Sequence, residues 1–176
     1  MTQLTDKQRI AIQAAIALDQ LSSEHQLILK ELIGEPNNRN NKGDLYVDGA
    51  ADLHSKTAGI GGAIFLNESE IQHFSRPLFD KTNNEAEYMS MIEGVKVSLE
   101  INLSSLNIYS DSELVVKQVN GQYKIKNDRM LRLCQELKSE LDKLDSWQVT
   151  HIRREKNTRA DALSKEGMAE AKKTKK

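Results

Sequence analysis

The chain has 176 residues, of which 38% are apolar and 29% are charged, enough to bury the core of one ordinary domain with a small appendage. Its single cysteine, Cys134, excludes an internal disulfide framework and favours a reducing compartment, so we expect a cytoplasmic protein. No apolar stretch approaches the roughly 20 residues that a membrane-spanning helix requires. The apolar run from Ala11 to Leu18 is short and lacks the cleavage pattern of a secretory signal. We therefore expect no membrane partner.

Charge is unevenly distributed along the chain, although the formal net charge is only -1. Four basic residues accompany one acidic residue between His151 and Arg159, and the same balance holds between Gly121 and Arg132. The last six residues add four lysines. A basic patch is often no more than a solvated face, but these patches place positive charge in the C-terminal half, where it could contact phosphate.

The first 35 residues differ in pattern from the rest. Two capping-box pairs, Thr5 with Gln8 and Ser23 with Gln26, predict short helices at about 5–20 and 23–33. Glycine, proline and a polar run then predict a linker at 36–42. We expect the helical extension at 1–35 to be too short to bury a core of its own. It would dock on the main domain, or pair with another copy or another protein.

The periodicity changes near Gly43, where the main domain is predicted to begin. Segments 45–47, 58–66 and 69–78 are apolar or alternating and predict a three-stranded antiparallel meander. A capping box formed by Thr82 and Glu85 then starts a helix with an apolar stripe, and 105–109 predicts a fourth strand.

The remaining elements follow from similar signals. Ser110 and Glu113 fit a capping box that would place Asp111 in the first turn of a helix. The pattern predicts a further helix that contains Cys134, a last strand at 147–152, and a final helix from 157 to about 170. The predicted fold is α/β, with a five-stranded mixed sheet flanked by helices in the order βββαβααβα. It occupies 43–170 and is followed by a disordered basic tail at 171–176.

Four carboxylates fall at strand ends or helix starts of this scaffold. Asp48 ends the first strand, Glu87 lies in the opening turns of the first core helix, Asp111 follows the fourth strand, and Asp161 lies in the first turn of the final helix. If the strands that carry Asp48 and Asp111 are neighbours, both carboxylates emerge at the edge that ligands of open α/β sheets favour. Their mutual repulsion would be relieved by a multivalent cation. Oxygen ligands suit Mg²⁺ or Mn²⁺, and two such ions about 3.5 to 4 Å apart can promote phosphodiester hydrolysis.

The segments that contain these carboxylates resemble, in order and position, the four signature segments of type 1 ribonuclease H. They are Tyr46-Val47-Asp48-Gly49, Thr82-Asn83-Asn84-Glu85-Ala86-Glu87-Tyr88, Tyr109-Ser110-Asp111-Ser112 and Asn157-Thr158-Arg159-Ala160-Asp161. The resemblance covers about 44–170 and is strongest to compact archaeal-like and bacterial forms. It implies a ribonuclease H-like fold and an endoribonuclease that hydrolyses the RNA strand of RNA/DNA hybrids by two-metal-ion catalysis, leaving 5'-phosphate and 3'-hydroxyl ends.

Carried over position by position, the resemblance implies that the four carboxylates bind two Mg²⁺ ions, with Mn²⁺ as a substitute. It also implies that Asn83 and Asn84, with the backbone near Gly49, contact the hybrid in its minor groove. There the 2′-hydroxyls distinguish RNA from DNA, and amide side chains can both donate to them and accept from them.

Two further segments are predicted to contact the substrate. The link between two helices, with Tyr123, Lys124 and Lys126, resembles the compact version of the family, which lacks a long basic protrusion. Where the family commonly has Gly-Asn-Pro-Gly after the first strand, this chain has the loop Leu53-His54-Ser55-Lys56. Lys56 is the candidate in that loop for a phosphate contact.

His151 and Arg154 are the candidate auxiliary residues. His151 lies ten residues before Asp161, an offset similar to that of the auxiliary histidine in many ribonuclease H enzymes, and Arg154 resembles an arginine of archaeal-like members. A histidine could shuttle protons near neutral pH, and an arginine could stabilise developing charge with fixed donors. The alternative is that His151 is an ordinary strand residue and Arg154 a solvated cation.

Two other functions stay open at this stage. One is a ribonuclease H-like module that binds nucleic acid without cutting it, for which loss of one carboxylate would be the signature. The other is a nuclease of the same fold that acts on double-stranded RNA or on structured nucleic acid. A single aspartate at a helix start often has only a capping or dipole role, so the joint pattern of four motifs carries the catalytic interpretation.

Overall fold

Two structural units make up the chain. The computed structural model describes residues 4–16, 21–33 and 42–175, and its contacts divide the chain into Met1–Asn40 and Asn41–Lys176. In the first unit, α1 spans Asp6–Ile16 and α2 spans Ser23–Leu32, and the two helices contact each other. The predicted end of the first helix, at 17–20, and the linker up to residue 41 lie outside the described residues.

Both N-terminal helices begin at a side-chain cap. Thr5 donates its N–H to Gln8 Oε1 at 2.8 Å, and the N–H of Gln8 donates to Thr5 Oγ1 at 3.4 Å, which confirms the first capping box. The second predicted pair is wrong by one residue. Because α2 begins at Ser23, its cap is Ser22, whose Oγ accepts the N–H of His25 at 3.3 Å.

The second unit has the predicted order of strands and helices, with one additional 3₁₀ turn at Arg154–Lys156. Its elements are β1 (Lys42–Asp52), β2 (Thr57–Leu66), β3 (Ser69–Phe79), α3 (Asn83–Glu100), β4 (Ser105–Ser110), α4 (Glu113–Val119), α5 (Asp128–Leu141), β5 (Ser146–His151) and α6 (Thr158–Thr174).

The five strands form one mixed sheet in the order β3-β2-β1-β4-β5. β1, β2 and β3 pair antiparallel, whereas β4 pairs parallel to both β1 and β5. The parallel strands are joined through helices, since a parallel connection needs a crossover. This sheet confirms the predicted α/β class, and it places β1 at the centre with β4 beside it.

Helices cover both faces of the sheet. Leu45 of β1 points toward α3, because a Cβ added to Gly94 of α3 would lie 2.8 Å from its side chain. Asp48 points to the opposite face by the alternation of a strand, and it accepts a hydrogen bond from Ser164 of α6. The approach of α6 is close, since a Cβ added to Gly61 of β2 would lie 2.2 Å from the backbone nitrogen of Ser164.

The core lies mainly between the sheet and the layer formed by α3 and α5. The inward face of α5 presents Met130, Cys134, Leu137 and Leu141, all buried. Tyr88 of α3 is fully buried in the same cluster. Burial of this apolar area is the main favourable contribution to folding, and it fixes α3 against β1.

The helix start predicted around Asp111 is wrong. Ser110 is the last residue of β4, and its Oγ accepts the N–H of Ser112 at 3.1 Å instead of capping a helix. Because α4 begins at Glu113, Asp111 lies in the turn before the helix and not in its first turn.

Two further boundaries differ from the prediction. β1 continues to Asp52, so Asp48 lies within the strand and not at its end. The tail predicted to be disordered from 171 is helical through Thr174. Lys172 Nζ lies 2.8 Å from Asp52 Oδ2, and Lys175 Nζ donates to the carbonyl oxygen of Ser55 at 2.7 Å, so these lysines contact the β1–β2 hairpin.

Within the described ranges, no helix has both the length and the apolar character needed to cross a bilayer.

Candidate active site

The parallel strands β1 and β4, at the centre of the sheet, separate at the point where Asp48 and Asp111 lie. The last paired residues of β1 and β4 are Tyr46 and Tyr109, whose rings are stacked with centroids 4.8 Å apart. Asp48 lies two residues beyond Tyr46, and Asp111 lies two residues beyond Tyr109. The parallel direction of the strands therefore brings both carboxylates to the same edge of the sheet.

Glu87 reaches this edge because α3 packs very closely against β1. A Cβ added to Gly49 would lie 2.4 Å from the backbone carbon of Ala86 and from the backbone nitrogen of Glu87. The glycine after Asp48 is therefore required for the approach of the helix. Carboxylate oxygens of Asp48, Glu87 and Asp111 lie within 4.8 Å of one another. We call these three residues the carboxylate cluster.

The carboxylate cluster is electrostatically strained. Burial, together with the charges of Asp48 and Asp111, raises the pKa of Glu87 to about 9. The N–H of Gly49 and the charge of Arg154 act in the opposite direction. Three carboxylates held so close cannot all stay ionised without a compensating positive charge.

Asp48 is perturbed in the same direction. Burial raises its pKa, a hydrogen bond from the hydroxyl of Ser164 lowers it, and the neighbouring charges of Asp111 and Asp161 raise it again. Ser164 is fully buried, and its Oγ donates to Asp48 Oδ2. This contact holds the carboxylate of Asp48 in one orientation.

The chemistry of these residues fits a divalent cation. All three side chains in the cluster present carboxylate oxygens, the ligands that Mg²⁺, Ca²⁺ and Mn²⁺ prefer. Glu87 Oε2 is buried and has no hydrogen-bond partner among the described residues. A buried acceptor without a donor is costly, so a cation would satisfy this oxygen and relieve the repulsion within the cluster.

Asp161 is close to the cluster but is held separately. Arg154 Nη2 donates to its Oδ1 at 2.7 Å, and Lys165 Nζ donates to its Oδ2 at 2.6 Å. Hydrogen bonding, chiefly from Lys165, lowers the pKa of Asp161. The structure thus brings three of the four predicted carboxylates together and pairs the fourth with two cations, while its charge still influences Asp48.

The two predicted auxiliary residues have different surroundings. Arg154 lies in the 3₁₀ turn before α6 and pairs with Asp161. Its charge also opposes the rise that burial causes in the pKa of Asp48 and of Glu87. His151 is the exposed last residue of β5, where it pairs in register with Ser110 of β4. Arg154 is therefore the residue of the two whose charge acts on the carboxylate cluster.

The predicted substrate contacts all lie at the surface except for Gly49. Asn83 and Asn84 are exposed as the first two residues of α3. Lys56 is exposed at the end of the β1–β2 turn, and the side chains on the link between α4 and α5 are exposed as well, namely Tyr123, Lys124 and Lys126. Gly49 is buried against α3. These assignments to substrate binding stay predictions.

Three residues at the site were missed from the sequence, namely Asn157, Ser164 and Lys165. Ser164 and Lys165 follow Asp161 by three and four residues, the spacing that places side chains on one face of a helix, and this was an available signal. Asn157 is buried, and its Nδ2 donates to the carbonyl oxygen of Val47 at 2.9 Å and to Asp111 Oδ1 at 3.1 Å. No local pattern predicts that contact.

A ribonuclease H-like fold with a carboxylate cluster where its central parallel strands separate defines the class of this protein. A family model described as reverse transcriptase-like matches residues 46–167. The chain belongs to this family, and its resemblance to type 1 ribonuclease H is confirmed.

Individual relatives agree with this assignment. Ribonuclease HI of Halobacterium salinarum is 28% identical over 127 residues, which cover 72% of this chain and 64% of that protein. This chain therefore spans less than two thirds of the length of that relative. The crystal structure of RNase H1 from Halobacterium salinarum superposes with a TM-score of 0.71 at 27% identity, covering 74% of this chain and 99% of that one.

A second solved structure is that of LC11-RNase H1, a protein isolated from compost, in complex with an RNA/DNA hybrid. It superposes with a TM-score of 0.68 at 29% identity and covers 73% of this chain and 98% of that one. The likeness is thus to whole ribonuclease H domains, and it confirms the predicted fold.

Proposed function

We propose that this protein is a metal-dependent endoribonuclease that hydrolyses the RNA strand of RNA/DNA hybrids. The observation that carries the proposal is the carboxylate cluster, in which oxygens of Asp48, Glu87 and Asp111 lie within 4.8 Å of one another. The comparison with LC11-RNase H1, solved with a hybrid, supports the choice of substrate. All four carboxylates of the resemblance are present, which favours cutting over binding alone.

Asp48, Glu87 and Asp111 would hold two Mg²⁺ ions together with Asp161, with Mn²⁺ as a substitute. Such a pair, when bound, would supply activation of a water molecule and stabilisation of the leaving oxygen of a phosphodiester. The products that we propose carry 5'-phosphate and 3'-hydroxyl ends. A metal ion at Asp161 would compete with two cationic side chains, because Arg154 and Lys165 each donate to one of its oxygens.

Other side chains of this chain orient the reacting groups. Ser164 fixes the carboxylate of Asp48 through its hydroxyl. Arg154, whose guanidinium always carries charge, lies where it could stabilise negative charge on the scissile phosphate. Asn83 and Asn84, exposed at the start of α3, have amide groups suited to 2′-hydroxyls.

The proposal is tested by incubating the full chain with a labelled RNA/DNA hybrid, double-stranded RNA and single-stranded RNA, each with and without Mg²⁺. We expect cleavage of the hybrid alone, dependent on the metal, and fragments with 5'-phosphate ends. Equal cutting of all three substrates would contradict the hybrid preference. Binding of the hybrid without any cleavage would instead support the non-catalytic alternative.

A further inference from the structure

We infer that Asn157 is a positioning residue that fixes the carboxylate of Asp111 in the carboxylate cluster. The inference rests on the proposed function, because it assigns to Asn157 a role in the same site. It concerns how the cluster is assembled and not which residues belong to it.

The orientation of the Asn157 amide is determined by its partners. Nδ2 donates to the carbonyl oxygen of Val47 at 2.9 Å and to Asp111 Oδ1 at 3.1 Å. The carbonyl oxygen of Val47 and the ionised carboxylate of Asp111 can accept hydrogen bonds but cannot donate them. If the amide were flipped, its oxygen would face two other oxygens. The side chain is 1% exposed, so water cannot easily replace either contact.

The side chain of Asn157 does not cap α6, although an asparagine at this position usually caps the helix. Asn157 is the N-cap residue of α6, yet its side chain caps no amide of that helix. Asn127, the N-cap residue of α5, shows the usual arrangement, since its Oδ1 accepts the N–H of Arg129 at 2.9 Å and of Met130 at 3.2 Å. An asparagine that forgoes capping in order to contact Asp111 is better explained by the site than by the helix.

The contacts of Asn157 connect the three segments that carry aspartates. Its Nδ2 binds β1 one residue before Asp48 and also binds Asp111 after β4. Its main-chain oxygen accepts the N–H of Asp161 at 3.0 Å in the first turn of α6. One residue therefore sets the spacing between the segments that bear Asp48, Asp111 and Asp161.

Asp111 has little else to hold it. It lies in the short turn between β4 and α4, and within the described part of the chain Asn157 is the only side chain that donates a hydrogen bond to its carboxylate. Without this donor the side chain would be free to rotate away from Asp48 and Glu87, and repulsion within the cluster would favour that rotation.

The test compares Asn157→Ala with Asn120→Ala in the full chain. Asn120 is exposed and serves as a control for the hydrogen bond alone, because its Nδ2 also donates to a strand carbonyl, that of Val149 at 3.0 Å, without contacting a carboxylate. Mn²⁺ affinity is measured by electron paramagnetic resonance without substrate, and KM and the single-turnover rate are measured with hybrid. For Asn157→Ala we expect metal affinity and single-turnover rate to fall by about tenfold or more with KM unchanged, as for other residues that orient metal ligands.

A variant that only lost stability would not show reduced metal affinity and a reduced single-turnover rate with KM unchanged. Asn120→Ala should lower Tm but keep the metal affinity and single-turnover rate of the wild type. Asn157→Ser provides a second variant, because serine is a good N-cap and would support α6 while being too short to reach Asp111. Both Asn157 variants should therefore lose metal affinity. Wild-type metal affinity and rate in either folded variant would overturn the inference.

Two other outcomes are possible, namely an inactive wild type and variants that do not fold, and the inference can still be tested in each case. If the wild type binds Mn²⁺ but does not cleave the hybrid, the proposed function fails while the metal-affinity comparison still tests Asn157. If neither variant folds, hydrogen exchange of side-chain amides in the wild type supplies the test. The amide of buried Asn157 should exchange much more slowly than that of exposed Asn84, and equal exchange would overturn the inference.

Discussion

Glu87 is a group in the carboxylate cluster whose burial disfavours ionisation when no metal is bound. Its pKa rises from an ordinary 4.5 to about 9, chiefly through burial. For an acid whose folded-state pKa is raised, the penalty is absent below the unfolded-state pKa, grows as the pH rises, and is complete above the folded-state pKa.

We therefore predict a pH-dependent difference in Tm between the metal-free wild type and Glu87→Gln. From about pH 5 to about pH 9 the wild type should lose Tm relative to the variant, because Glu87 ionises in the unfolded chain while the folded protein keeps it protonated. Saturating Mg²⁺ should reduce or reverse the difference, since the wild type gains a ligand that the variant binds weakly. A difference in Tm that does not change with pH would contradict the electrostatic account.

Arg154 gives a second prediction at the scale of single residues. Replacing it with alanine should slow single-turnover hybrid cleavage by roughly tenfold or more, in the lower range for a positioned auxiliary group. Arg153→Ala is the matched control, because it removes the same charge one residue away, where the described residues provide no ion pair. Equal rates for Arg154→Ala and the wild type would show that the 3₁₀ turn is structural.

His151→Ala should have a smaller effect than Arg154→Ala, because His151 is exposed at the end of β5. Neither residue belongs to the carboxylate cluster, so neither replacement should abolish activity. A larger loss for His151→Ala, measured as the single-turnover rate from about pH 6 to about pH 9, would reverse this ranking.

The packing of α6 against β2 provides a prediction at the scale of elements. In Gly61→Ala the new Cβ would lie 2.2 Å from the backbone nitrogen of Ser164, so helix and strand must separate. We expect the free energy of unfolding in urea to fall by about 1 to 3 kcal/mol, the usual cost of overpacking. Hybrid cleavage should also slow in the folded variant, because Ser164 moves away from Asp48. Unchanged stability would contradict this packing.

The start of a helix was predictable from the sequence where a local capping pattern determines it. The capping box of Thr82 and Glu85 is present at the start of α3, with Thr82 N–H donating to Glu85 Oε2 at 2.9 Å. The similar pattern of Ser110 and Glu113 failed, because a serine hydroxyl can equally bind a turn amide just after a strand. The same sequence signal therefore has two structural outcomes, and only the surrounding fold decides between them.

The meeting of Asp48, Glu87 and Asp111 at one edge of the sheet was predictable from the segments that carry them, although Asp48 lies within β1 and Asp111 lies before α4. The side chains that form hydrogen bonds with these carboxylates were not predictable. Ser164 contacts Asp48 and Asn157 contacts Asp111 across 116 and 46 residues of sequence, respectively. Contacts over such distances depend on how strands and helices pack, which the pattern of one segment does not encode. The helical extent of the lysine tail was missed for the same reason, because Lys172 is held by Asp52 of the β1–β2 hairpin.

At the scale of the whole molecule, the residues proposed to act in catalysis all belong to one of the two units. The carboxylate cluster, Asp161 and their contacts lie within Asn41–Lys176. We expect a chain that lacks residues 1–41 to cleave saturating hybrid at the single-turnover rate of the full chain. Sedimentation velocity on both chains would test whether the N-terminal helices pair with another copy, which is one of the alternatives that their sequence leaves open. A folded but inactive truncated chain would show that the extension takes part in catalysis.

Single-turnover cleavage of a labelled RNA/DNA hybrid by the wild type and by Asp48→Asn, with and without Mg²⁺, tests the role of the carboxylate cluster most directly. A neutral amide cannot replace a carboxylate in holding the metal pair, but it relieves repulsion with Asp111 and Asp161. We predict that Asp48→Asn has no measurable turnover and that its metal-free Tm equals or exceeds that of the wild type. Near-normal Mg²⁺-dependent cleavage by Asp48→Asn would contradict the assignment of this site.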